Sequence, residues 1–416
     1  MDEVTIKISA RHIIIDSSTI LDHASIIIHN GKVAETGPTE SLRSIKADKV
    51  VNLRDHILHP GFINAHCHLD LSCLKGKLKR GLSFTDWIRA LVHARSKVSA
   101  KDLDRGIKQG VARLMQTGTT CVGDITSSSR VNASLIRSGL RAVVFHETLG
   151  YDPGVANERF SDLLKRVGGA SSSDLVENGV SPHSIYSVSP KLMKKTAAYA
   201  KRDKAPLSIH LSETAEEVEF SRKGDGPFRE LLESFGLFAT GRYPKATPVN
   251  AVNKTGALKK SLVVHMNHPC KGDLATIKKA GAKIVICPNS NRWLQRPISA
   301  PVYEILDRDI PLALGTDSLA SNTDLDMTAE IRGLLREFPD IALSQAFDIA
   351  TVGGAKALSL PKICGTLQKG APFDAVAVKI KSFRKIYPMR AIISGRRRVD
   401  AVWVAGAKLR IKREGL

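Results

Sequence analysis

Four stretches of the chain end an apolar run on a side chain that can bind a metal or carry a proton. In Pro60-Gly-Phe-Ile-Asn-Ala-His66-Cys-His68-Leu-Asp70, two histidines stand two residues apart. On a strand, residues i and i+2 share a side, so both imidazoles can aim into one mouth. Imidazole nitrogens bind Zn²⁺ at about 2.0–2.1 Å. Leu207-Ser-Ile-His210-Leu-Ser-Glu213 sets a histidine at the end of an apolar run and a carboxylate three residues on. Leu262-Val-Val-His265-Met-Asn-His268 and Leu312-Ala-Leu-Gly-Thr-Asp317-Ser318 repeat the pattern with His265 and Asp317. Singly, each has a plain structural explanation: a satisfied buried polar group, or, for Glu213, Glu216 and Glu217, the first turn of a helix. Together they predict imidazoles and a carboxylate on one rim.

The elements that must position them read as alternating short strands and helices from about residue 60 to 360. Ala142–Phe145, Leu207–His210, Leu262–His265, Lys283–Cys287 and Leu312–Gly315 are strand candidates. Such alternation implies parallel βαβ units, which close into a barrel or open into a doubly wound sheet. No Gly-x-Gly-x-x-Gly follows a strand, which weakens a dinucleotide-binding sheet. In a (β/α)8 barrel, active sites form at the C-terminal strand ends, where these side chains lie. The two chain ends differ from the middle. Ile13-Ile-Ile and Ser25-Ile-Ile-Ile28 are β-branched runs, and Asn30-Gly31 after the second is a hairpin signal. Asp374–Ile380 and Asp400–Gly406 are strands with a turn after the second.

Composition sets the remaining bounds. The 416 residues, 43% of them hydrophobic, suit one large barrel with a small appendage and exclude wholesale disorder. No apolar run approaches the roughly 18 residues of a membrane helix, and the N-terminus has no secretory pattern, so a cytoplasmic protein is expected. The six cysteines, Cys67, Cys73, Cys121, Cys270, Cys287 and Cys364, form no C-x-x-C pair and read as reduced thiols. The net charge of +21 is spread along the chain, with short clusters at Lys75–Arg80 and Arg396–Arg398 and no nucleic-acid-binding motif. It is read as a lysine-rich surface, and no nucleic-acid partner is expected.

In order along the chain stand GKVAETGP, PGFINAHCHLDLS, GTTCVGD, SPHSIYSVSP, HLSET, VVHMNH, CPNSN, LGTDSLASN, GTLQKGAPFDAVAV and VWVAG. This series resembles the amidohydrolase superfamily, in particular its single-metal aminohydrolase and chlorohydrolase branch. That branch includes S-adenosylhomocysteine/methylthioadenosine and aminodeoxyfutalosine deaminases. The resemblance covers nearly the whole chain. It implies an α/β fold, a (β/α)8 TIM-like barrel over residues 60–366, with a small β-sandwich built from residues 1–59 and 367–416.

The resemblance further implies one divalent metal, Zn²⁺ first and Fe²⁺ as alternative, on His66, His68, His210 and Asp317. The catalytic residues would be Asp317, which also takes a proton from the metal-activated water; His265, beside that water; and Glu213, which carries protons to the leaving nitrogen. His183, Trp87, Glu147, Asn289 and Ser318 are the candidate substrate contacts; the bland reading of Trp87 is helix packing. Binuclear relatives carry a carboxylated lysine on the fourth strand. The matching stretch here holds His183 and no lysine, which favours one metal. The expected reaction is hydrolytic deamination of an aminopurine nucleoside or related heterocycle. Hydrolysis of another C–N or a C–Cl bond is the alternative, and a non-catalytic scaffold a remote one. A homo-oligomer is common among relatives, though no residue here marks an interface. Departures from the pattern are Cys67, Asp70, His-Met-Asn-His at 265–268 and Asn289 in place of arginine, with Arg292 near enough to compensate.

Overall fold

The computed structural model describes residues 4–296, 298–361, 363–380, 387–395 and 397–411. Arg396, the first residue of the basic cluster 396–398, lies outside them.

The N-terminal runs form β1 (Thr5–Ile14), β2 (Ile20–His29) and β3 (Lys32–Pro38), followed by β4 (Lys49–Pro60). Asn30 and Gly31 turn the β2–β3 hairpin with φ of 51° and 76°, the left-handed pair that a tight hairpin turn needs. Alternation along β1 sends Ile8 and Ala10 to one side, and past the irregularity between Ala10 and His12 Ile13 joins the same buried cluster.

Eight strands follow in the middle: β5 (Phe62–Cys67), β6 (Thr119–Thr126), β7 (Arg141–Thr148), β8 (Val176–Pro182), β9 (Ser208–Leu211), β10 (Leu262–His265), β11 (Lys283–Ile286) and β12 (Leu312–Leu314). They make two parallel four-stranded sheets, β5-β6-β7-β8 and β9-β10-β11-β12. Parallel bridges Val180↔Leu207 and Cys67↔Asp317 join the sheets at both seams. At one seam Val180 N donates to Pro206 O at 2.9 Å. At the other Thr316 N donates to His66 O at 3.0 Å. The ring is therefore closed, a (β/α)8 barrel rather than an open sheet. Ile209, Leu211, Val263, Ile284, Ile286 and Leu314 pack on helical residues such as Leu192, Ile331 and Phe347. His210 lies between Ile209 and Leu211, so the period of two turns it away from that layer.

The chain returns to the first sheet through β13 (Ala375–Ile380), β14 (Arg397–Val404) and β15 (Ala407–Lys408). The order is β15-β14-β13-β4-β1-β2-β3. Both chain ends thus build one strand-rich unit, as expected, and its two faces belong to one continuous seven-stranded sheet. That sheet curls until the turns at Gly31 and Ala405–Gly406 touch. Its core joins Ile8, Ile13, Ile26 and Leu58 to Phe373, Ala375 and Trp403. β4 is the joint: Leu58 pairs with Ile13 on one side and Ala377 on the other, and two residues after Pro60 the chain enters the barrel. Among the described residues no helix is long and apolar enough to cross a membrane.

Candidate active site

The rim residues converge. β5 delivers His66, and the residue just past its end is His68; their rings lie 4.9 Å apart. β9 delivers His210, with Nε2 3.4 Å from His68 Nε2. The turn after β12 delivers Asp317, with Oδ1 3.5 Å from His66 Nε2 and 3.8 Å from His68 Nε2. Donor atoms each about 2.0–2.1 Å from a tetrahedral ion would stand roughly 3.4 Å apart. Both nitrogens of the buried His66 lack hydrogen-bond partners among the described residues. A buried polar atom without a partner is costly, and a cation held between these groups would satisfy it. The four residues therefore fit a divalent metal.

The surroundings keep these groups in the protonation states that a metal needs. Burial lowers His66 and His68 to about 4, so both imidazoles are neutral and able to donate an electron pair. Burial alone would raise Asp317; the His66 ring 3.5 Å from Oδ1 and the neighbouring imidazoles hold it well below the usual carboxylate range. Ser290 and Ser321 donate to Asp317 Oδ2 at 2.7 and 2.8 Å, which leaves Oδ1 facing the histidines. Ser290 sits inside Cys287-Pro-Asn-Ser-Asn291, so that motif reaches the site through its serine.

His265 closes β10, its φ of 80° in the left-handed region that a side chain with a Cβ rarely adopts. Asp317 shares that region with φ of 57°. Such backbone persists only where surrounding contacts enforce it, and it clusters at functional sites. His265 Nε2 lies 3.3 Å from Glu213 Oε1. Glu213 is placed by the helix behind it, Ala215–Lys223. Thr214 caps that helix by accepting from Glu217 N, and the Glu217 carboxylate reaches back to accept from Ser212 N and Glu213 N at 3.1 and 2.7 Å. The arrangement resembles a capping box, except that the carboxylate accepts from the two residues before the N-cap rather than from the cap itself. Burial pushes Glu217 up to about 8.

A cavity of about 1020 Å³ opens over the cluster. His68, His183, His210, Glu213, His265, Asp317 and Ser318 line its floor. Glu147 stands beside them, its buried Oε1 without a hydrogen-bond partner among the described residues and 4.0 Å from His183 Nε2. The helix Phe84–Ser96 forms one wall through Phe84 and Trp87, whose rings stack 5.7 Å apart. Trp87 both lines the cavity and is buried in a hydrophobic cluster. The segment between β9 and β10 adjoins this helix, with Phe228 against Phe84, and lines the cavity with Leu231, Leu232, Phe235 and Leu237. Arg95, Arg159, Lys165 and Arg166 also line it, together with Asp70, Asp152 and Asp162.

Two expectations come apart from the cavity. Asn289 does not line it: the backbone N–H bonds to Glu330, and the amide lies against Gly333 of the helix Met327–Glu337. Its short helix, Pro288–Trp293, turns Ser290 inward and Asn289 outward. Arg292, the residue near enough to compensate, is exposed. Another arginine holds the inner place. Arg296 Nη1 donates to Glu213 Oε1 at 2.7 Å, and its guanidinium lies over the Phe84 ring, 4.4 Å from the centroid. No sequence motif marks Arg296; its only signal is a basic residue in the loop following Cys287-Pro-Asn-Ser-Asn291.

Comparison with known proteins agrees with this picture. A 5-methylthioadenosine/S-adenosylhomocysteine deaminase of Saccharophagus degradans is 28% identical over 415 residues, covering 95% of this chain and 88% of that protein. The crystal structure of Helicobacter pylori aminofutalosine deaminase in complex with methylthio-coformycin superposes with a TM-score of 0.85 at 23% identity, covering 97% of this chain and 99% of that one. An adenosine deaminase from Xanthomonas campestris with bound zinc gives a TM-score of 0.83 at 23% identity over 97% of this chain and 92% of that one. At these identities the two structures establish the shared fold. The model of the amidohydrolase family matches residues 57–409, and the chain belongs to that family.

Proposed function

We propose that the protein is a metal-dependent aminohydrolase that deaminates an aminopurine nucleoside carrying a substituted ribose. The observation that carries this reading is the donor set itself. At the cavity floor Asp317 Oδ1 stands 3.5 Å from His66 Nε2 and 3.8 Å from His68 Nε2, His68 Nε2 stands 3.4 Å from His210 Nε2, and the Glu213 carboxylate lies beside them. Deaminases of methylthioadenosine, S-adenosylhomocysteine and aminofutalosine are among its relatives in sequence and fold, which supports the nucleoside class. A cavity of about 1020 Å³ is far larger than a bare nucleobase needs.

His66, His68, His210 and Asp317 would hold the metal, with Zn²⁺ the first choice. When bound, such a cation supplies a water acidified from a pKa of 15.7 to about 7. The chain's own groups do the rest. Asp317 Oδ1 accepts the proton of the attacking water, and Ser290 and Ser321 hold the other oxygen still. His265 orients the attacking oxygen. Glu213 takes up the second proton of the attacking water and passes it to the departing amine, for which it must lie within hydrogen-bond reach of the reacting centre. Phe84 and Trp87 offer an aromatic face to the purine. Glu147, His183 and Ser318 contact the remaining polar groups of the substrate. Asn289 takes no part. We place the barrel at 60–366 and the strand-rich unit at 1–59 with 367–416.

The test is ammonia release from the Zn²⁺-loaded protein. The panel is S-adenosylhomocysteine, methylthioadenosine, adenosine, aminodeoxyfutalosine, guanine and cytosine, with Glu213→Gln as control. Turnover of a nucleoside that vanishes in the control is expected. No ammonia from any of them, with one metal still bound per chain, would sink the deaminase reading and leave hydrolysis of another C–N or a C–Cl bond.

A further inference from the structure

Arg296 belongs to none of the motifs and to none of the roles above. Its side chain is 8% exposed. A buried guanidinium is costly unless its donors are paired, and an arginine serving only the fold would spread its five N–H groups over several acceptors. Here Nη1 meets Glu213 Oε1 at 2.7 Å and Asn291 Oδ1 at 3.4 Å, while Nε and Nη2 are buried without partners among the described residues. One strong ion pair therefore anchors the group, and the carboxylate it anchors faces the cavity. The flat side of the same guanidinium covers Phe84, which stacks on Trp87 at an interplanar angle of 9°. An arginine can stack on a ring and donate from its edge at once; a lysine cannot.

We infer that Arg296 is a positioning residue that holds the Glu213 carboxylate against His265 and ties it to the Phe84–Trp87 wall. The proton carrier and the aromatic face that receives the purine are then set by one side chain. Asn267, which donates to Glu213 O and exchanges amide hydrogen bonds with Asn291, completes the frame from behind. The inference rests on the reading of Glu213 as the proton carrier.

The experiment uses the full chain loaded with zinc and compares Arg296→Met, Arg296→Lys, Glu213→Gln and the double variant Glu213→Gln/Arg296→Met. Arg296→Met should keep one zinc per chain and lose kcat by roughly 10- to 100-fold, the cost of a misplaced catalytic group. Arg296→Lys should recover part of kcat and keep a raised KM, because it restores the charge but not the stack. The double variant should be no slower than Glu213→Gln, since Arg296 acts through that carboxylate. Arg296→Met within about twofold of the parent, or a double variant slowed by the product of the two single effects, overturns the inference. A crystal structure of Arg296→Met supplies a readout independent of substrate. Glu213 should have left His265, and a carboxylate still in place would overturn the inference. If Arg296→Met does not fold, Arg296→Lys and its KM carry the test. If Glu213→Gln retains full rate, the proton-carrier reading fails, and the crystal structure alone judges whether Arg296 positions the carboxylate.

Discussion

Replacing Glu213 with glutamine removes one titratable proton and almost no volume. The variant should keep its metal, because Glu213 is not among the ligands, and lose about 10²- to 10⁴-fold in turnover. His210→Ala should instead lose metal and activity together, since it deletes a ligand. Metal content by elemental analysis beside the rate separates the two cases. Equal metal loss in both would show that Glu213 serves the site structurally. Glu217 offers a test of pH dependence. Burial raises it from the ordinary 4.5 to about 8, so between those values the folded chain keeps a proton that the unfolded chain releases. This contribution to stability is fully present below the unfolded value and is lost as pH rises through the folded one. Glu217→Gln should flatten the decline in stability between pH 4.5 and 8, read from denaturant midpoints across that range. An unchanged slope would mean that Glu217 is ionised in the fold.

At the scale of the elements, the site depends on how closely β5 and β12 meet at the seam. Gly315 follows β12, and a Cβ there would lie 2.7 Å from His66 Cβ and 2.8 Å from His66 O. Neither atom can move without moving a ligand. Gly315→Ala should push Asp317 away from His66 and lower metal affinity by roughly 10- to 100-fold. Competition against a chromophoric chelator measures this, and an unaltered affinity would show that the seam can give. The strands themselves were legible: apolar runs ending in His210, His265 and Asp317 became β9, β10 and the turn after β12. The length of β4 and its place between β1 and β13 were not legible, because sheet neighbours far apart in sequence leave no local period. The place of the helical wall between β9 and β10 was likewise hidden, since it depends on what the wall covers and not on a local period.

Across the whole molecule, the barrel and the strand-rich unit are fastened by Arg141, at the start of β7, and Asp374, just before β13. Arg141 Nε donates to Asp374 Oδ2 at 2.9 Å with both side chains mostly buried, and Asp374 Oδ1 also accepts from Ala405 N. Breaking a buried pair by removing one partner costs roughly 3–5 kcal/mol. Arg141→Met should therefore lower the melting temperature clearly while leaving kcat of the folded fraction unchanged, because the pair sits at the N-terminal end of β7, opposite the active rim. A change in kcat without a change in melting temperature would link the two units to catalysis.

That His66, His68, His210, His265 and Asp317 would meet at one rim was legible in the residue string, because a two-residue period and a strand end are local facts; their roles toward a metal came only from the resemblance. His66 and His68 share a side wherever that strand lies, and apolar runs ending in histidine or aspartate point to one rim once the strands are parallel. Asn289 and Arg296 show where local reasoning stops. They lie seven residues apart in the same connection after β11, and nothing in composition says that the nearer one faces the helix Met327–Glu337 while the farther one reaches Glu213. That choice follows from closing the ring. The inward turn of Ser290 toward Asp317 sends Asn289 outward, and the buried Glu213 carboxylate meets Arg296 from the adjoining loop as well as His265 from β10.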